Sequence, residues 1–147
     1  MHMFNNIALL ISRLLLGVIL IAHGWDKFQG GIDGTSGFFD SLGIPAAALA
    51  APLVAGIEII GGILLILGAF TRVTGIVLAL VMLGAASFVH IGQGIFVGDG
   101  GWELVGAIGA GTLALAAAGA GAYSIDTLIN RNRTTATEQP ELAATLS

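Results

Sequence analysis

Four apolar runs, Ile7–Ala22, Pro52–Phe70, Val73–Val89 and Leu104–Ala122, constrain this chain more than any other feature. Each is close to the ~17–25 residues an α-helix needs to cross ~30 Å of hydrocarbon. Helix-period alternation is missing through Ile59–Ala69 and Gly75–Ser87, so no stripe is left to face water. Only 10% of the residues are charged and 56% are hydrophobic, outside the range of a soluble domain. The expected fold class is all-α, a four-helix transmembrane bundle with spans at about 7–23, 46–70, 73–90 and 103–122. Residues 1–126 form one transmembrane domain in this reading, and 127–147 form a polar, disordered cytoplasmic tail. Pro45 suits a first helical position, which extends the second span to Ala46.

The first run is expected to stay as a helix rather than be cleaved. No Lys or Arg precedes it, and His23-Gly24-Trp25-Asp26-Lys27 offers no small-x-small site. Basic residues then give a direction. Arg13 in the first half of span one, Arg72 between spans two and three, and Arg131 and Arg133 after span four all fall on one side. The opposite loops hold Asp26, Asp33, Asp40, Asp99 and Glu103 against Lys27 alone. The positive-inside rule therefore puts both termini of this multi-pass chain in the cytoplasm.

Several function classes drop out. The five basic residues are scattered, so no patch can neutralise a row of phosphates and nucleic acid is not an expected partner. Cysteine is absent, which removes thiol chemistry, iron–sulfur ligation and Cys zinc sites. No HxxxH or HExxH spacing exists, so no metal site is assigned. The glycine-rich Gly92–Gly101 lacks the ending of a phosphate-binding loop and reads as a flexible outer loop. No serine has a recognisable His–acid arrangement beside it.

Within the spans, Arg13, Gly17, Leu20, Gly24 and Lys27 advance by four and three residues and stay on one helix face. Glu58, Gly62, Leu65 and Ala69 make a similar stripe, with Gly61 beside it. Small-xxx-small pairs, such as Gly75 with Ala79 and Ala107 with Gly111, suit close helix approach in lipid. Arg13 and Glu58 are the charges well inside spans, and each would cost at least ~2.5 kcal/mol unpaired. They are candidates for each other's partner; alternatively Arg13 reaches headgroups and Glu58 only specifies packing. Around the outer mouth stand His23, Trp25, Asp26, Lys27, His90, Trp102 and Glu103, which could converge on one pocket, the two tryptophans reading better as an interfacial belt.

Taken together, Arg13-x-x-x-Gly17 leading into His23-Gly24-x-x-Lys27, Gly56-x-Glu58-x-x-Gly61-Gly62 with Gly68, Trp102-Glu103-Leu104, and the closing Gly119 to Asp126 resemble the DoxX family over roughly Arg13 to Asp126. Ala122 departs from the pattern, standing where the family often has a basic residue; Asp126 is then expected to meet Arg72 or Arg131. The resemblance implies a four-helix inner-membrane protein, linked in some members to quinone-coupled sulfur oxidation and in others to oxidoreductase assemblies that handle oxidative stress.

Two functions follow as expectations. One is a redox-accessory subunit that binds a quinone or docks an oxidoreductase or another membrane subunit. Glu58 and His23 would be its catalytic groups, and Arg13, Lys27, His90 and Glu103 its cofactor contacts. The other is a non-catalytic assembly protein whose outer loops, Phe38–Leu42 among them, recruit partners. Membrane lipid is the expected surrounding in both, with a homo-oligomer open; a transporter is disfavoured because no inverted halves with broken spans are present.

Overall fold

The computed structural model describes residues 2–131, and they are all-helical. The expected tail beyond residue 131, with Arg133, lies outside the described residues. Helices α1 (His2–Gln29), α3 (Ala47–Leu67) and α4 (Thr71–Ala85) form the long elements, α4 running on as one apolar rod to Gln93 through a π-helical turn, Ala86–His90, and a 3₁₀ turn, Ile91–Gln93. These three rods are long and apolar enough to cross a membrane. Helix α5 (Glu103–Ala118) is apolar but has 16 residues, a rise of roughly 24 Å at 1.5 Å per residue. Residues 125–131 are helical as well, although the expected polar tail begins at 127.

The helices make two close pairs, α1 with α3 and α4 with α5, joined more sparsely through α3–α4 and α1–α5. Glycine is the reason for the closeness. A Cβ on Gly17 would lie 2.6 Å from Gly62 O, and one on Gly24 would lie 2.7 Å from Ala55 O, so α1 and α3 touch backbone to backbone. Gly75 does the same for the second pair, where a Cβ would meet Thr112 O at 2.5 Å. The inward stripes are as expected: Arg13, Gly17, Leu20 and Gly24 are buried on α1, and Glu58, Gly61, Gly62 and Leu65 on α3. Leu20, Leu65, Leu78, Met82, Ile108 and Leu115 fill the centre. Large apolar side chains such as Leu15, Ile60, Leu80 and Leu113 point outward instead, as a helix bundle solvated by lipid requires.

One departure from the expected topology is in the first long loop. Gly31, at φ 86°, turns the chain after α1, and Ile32–Ser41 then folds into a short helix, α2. It is held by Phe39 against Ala47 and Ala51 of α3. Part of the segment expected as a partner-recruiting loop is therefore a packed helix. The Gly92–Gly101 segment is also more tied than a flexible loop: Trp102 N donates to Gly94 O, Glu103 N to Ile95 O, and Val97 N to Glu103 Oε1.

The two ends of the bundle differ. At one, which carries Arg13, Arg72 and the α3–α4 turn, the segment after α5 crosses beneath the helices. Arg13 is completely buried and donates through Nη2 to Tyr123 O. Asp126 accepts from Phe70 N at 2.7 Å and Thr71 N at 2.9 Å, capping the start of α4, while its own N–H donates to Gly68 O. Arg72 donates to Ala116 O and Ala117 O at the end of α5. Asp126 thus binds the backbone of the α3–α4 turn rather than Arg72, and its carboxylate lies within electrostatic reach of Arg13.

Candidate functional site

At the opposite end the two helix pairs part and leave a cavity of about 700 Å³. Its inner wall is the bundle core, Leu20, Met82 and Ile108. Helix α2 covers one side through Thr35, Phe38 and Phe39, and the π-helical turn supplies Phe88, Val89 and His90. Phe38 and Phe88 each line the cavity while remaining about half exposed, so they frame its mouth. A π-turn is an uncommon insertion into a helix and occurs often where a binding site is built.

Six polar side chains line the space: His23, Asp26, Lys27, Thr35, Glu58 and His90. Glu58, only 3% exposed, accepts from Lys27 Nζ at 2.6 Å. Lys27 also donates to His23 O at 3.3 Å, one helical turn earlier, so the ammonium is held from two sides. His23 lies within electrostatic reach of Glu58. Thr35 Oγ1 donates to Lys27 O at 3.1 Å and ties α2 to the end of α1. His90 Nδ1 donates to Gly100 O at 2.6 Å, which fixes the ring against the loop before α5.

Of the six residues singled out from sequence, the structure brings Glu58, His23, Lys27 and His90 to one cavity. Arg13 and Glu103 stand outside it. Arg13 belongs to the other end of the bundle, and Glu103 is turned to the backbone of Val97. The candidate pairing of Arg13 with Glu58 is replaced by an ion pair of Lys27 with Glu58. Trp25 and Trp102 do not line the cavity and are substantially exposed, as belt residues are. No group of three or more His, Asp or Glu side chains able to hold a metal occurs among the described residues.

Sequence reasoning missed the contribution of α2. Thr35 and Phe39, four apart, with Phe38 beside them, carry a helical spacing inside a ten-residue segment too short and too Gly-rich to stand out. It also missed the π-turn, for which Ala-Ser-Phe-Val-His carries no signature.

Comparison with known proteins places this architecture. The DoxX family model matches residues 8–91, more than half of the chain. A Bacillus subtilis protein named "Putative oxidoreductase CatD" is 41% identical over 86 residues, which are 58% of this chain and 62% of that one, so the chain spans somewhat less than two thirds of that relative's length. The Escherichia coli inner membrane protein YqjF is 33% identical over 131 residues, 89% of this chain and 98% of that protein. Inner membrane protein YphA of the same organism is 36% identical over 126 residues, covering 82% and 89% respectively. No solved structure matches. The chain is a membrane protein and belongs to the DoxX family.

Proposed function

We propose that this DoxX protein is a multi-pass subunit of the inner membrane that holds a quinone in the cavity between its helix pairs and serves a docked oxidoreductase. The observation that carries the reading is the Lys27–Glu58 pair set into a mostly apolar cavity of about 700 Å³. A pocket of this size, apolar over most of its wall with a few convergent polar groups, suits a small amphipathic ligand. The half-exposed Phe38 and Phe88 at the mouth suit a tail that continues into lipid. Quinone chemistry moves protons with electrons, and Glu58 and His23 are the groups in the lining we assign to exchange them. Lys27 and His90 are assigned to the ring oxygens; Arg13 and Glu103, being outside the cavity, have no part in this assignment. The name of the Bacillus subtilis relative supports a redox setting. The arginine end supports cytoplasmic termini, with the cavity facing the other side of the membrane.

The test is direct binding. Protein purified in mild detergent is expected to carry quinone that solvent extraction recovers, and a short-chain ubiquinone is expected to raise its unfolding temperature. Glu58→Gln should lose both. Absence of extractable quinone together with no thermal shift in the unsubstituted protein would refute the reading. A second reading, a non-catalytic assembly protein, draws on the structural use of buried charge: Arg13 and Asp126 hold the segment that follows α5 to the bundle. Recovery of a cross-linked partner from a Glu58→Gln variant that no longer binds quinone would favour it.

A further inference from the structure

The hydrogen-bonding capacity of the cavity is lopsided. Thr35 Oγ1 uses its one proton on Lys27 O, so towards a ligand the hydroxyl can only accept. A carbonyl has no hydrogen to give, so His90 Nδ1 carries the proton in the bond to Gly100 O, and Nε2 of the neutral ring is left as an acceptor. Asp26 and Glu58 accept as carboxylates, and Glu58 engages Oε2 with Lys27 while Oε1 makes no hydrogen bond among the described residues. Lys27 has three N–H groups and directs two of them to Glu58 and to His23 O. His23 can donate or accept and adds no bias. Four accepting side chains therefore face the ligand against one uncommitted ammonium N–H.

We propose that the cavity selects the reduced, hydroxyl-bearing form of its ring ligand, a lipid-soluble quinol, over the corresponding dione. The inference rests on the quinone-site reading and says which redox state that site prefers. A quinol offers two O–H donors to groups such as Glu58 Oε1 and His90 Nε2. A dione offers acceptors only, so most of the lining would lose water without gaining a partner, and leaving a buried polar group unpaired costs more than the bond itself is worth. Two such bonds correspond to roughly tenfold in affinity. By linkage, tenfold tighter binding of the reduced form makes the bound couple more oxidising by about 30 mV for two electrons.

The test is a pair of anaerobic titrations of the full-length protein in detergent, followed by quenching of Trp25 and Trp102 fluorescence, with decylubiquinol and decylubiquinone. The expected result is a Kd roughly tenfold lower for the quinol. His90→Phe and Thr35→Val, each removing one acceptor, are expected to cut the ratio about threefold, and either variant suffices if the other does not fold. A 4-alkylphenol should likewise bind better than its methyl ether. Equal affinity, or tighter binding of the dione, overturns the selectivity and leaves the quinone site standing. Failure of both forms to bind overturns the two together.

Discussion

Replacing Lys27 by Met leaves Glu58 without its partner in a place where the carboxylate is only 3% exposed. Breaking one side of a buried pair costs about 3–5 kcal/mol, because the remaining charge keeps its desolvation penalty and loses its compensation. The Lys27 side chain is 24% exposed, so the pair sits at the rim of the buried class and the lower figure, about 3 kcal/mol, is the expectation. For a chain of this size that lowers the melting temperature by roughly 6–12 °C. Substituting both residues, Lys27→Met with Glu58→Leu, removes both charges and fills the same space, and should return stability to within about 1 kcal/mol of the starting protein. The unfolding of all four species can be followed in one detergent by intrinsic tryptophan fluorescence, which closes a double-mutant cycle. If Lys27→Met melts within a degree of the parent, or the double variant is no more stable than the single one, the ion pair does not hold the cavity together as the geometry requires.

Three further outcomes follow from the helix contacts and the topology. Gly62→Ala places a Cβ 2.6 Å from Gly17 O, a backbone atom that cannot turn aside, and should cost about 2 kcal/mol; Gly56→Ala on the same helix meets nothing within 4 Å and should be neutral or stabilising by up to ~1 kcal/mol, both read by thermal melts. Asp126→Ala removes the acceptor for Phe70 N and Thr71 N, with an expected loss of about 1–2 kcal/mol and faster hydrogen exchange at those two amides. Because the chain has no cysteine, single substitutions report orientation cleanly: on intact cells a membrane-impermeant maleimide should label Asp40→Cys and leave Asn5→Cys unmodified until the membrane is opened.

The inward faces of α1 and α3 were legible because glycine and charge recur there at four- and three-residue steps, and in lipid a small residue on a face is what lets another helix come close. The cavity was legible only in part. His23, Lys27 and His90 lie near span ends that must meet at one side of the membrane, which is a statement about topology that sequence supports. The roof made by α2 was not legible, since ten residues with two glycines carry too little hydrophobicity to predict that Phe39 would be buried by Ala47 and Ala51. The backbone capture of Asp126 was equally hidden. Its partners are two N–H groups freed at the start of α4, and no side-chain pattern announces them.

The exchange of partners at Glu58 has a geometric origin. In an antiparallel pair the residues of one helix meet progressively earlier residues of the other. Here Arg13 lies against Gly68, Gly17 against Gly62, and Gly24 against Ala55 with the Cβ of Glu58 close by. Glu58 is therefore level with Gly24, almost a full turn short of Lys27 and three turns beyond Arg13. Side chains on a helix lean towards its N-terminus, so Lys27 reaches back along α1 to the depth of Glu58, while Arg13 leans away from it towards the start of α1. That same lean delivers Arg13 to Tyr123 O. One helix thus carries two cations of opposite use: Arg13 closes the bundle against the segment that follows α5, and Lys27 pairs with a carboxyl group at the wall of the cavity. Exchanging their chemistries should show it. Arg13→Lys, with a shorter donor set, is expected to loosen the arginine end and leave ligand affinity within about twofold, whereas Lys27→Arg should alter affinity while the melting temperature changes little.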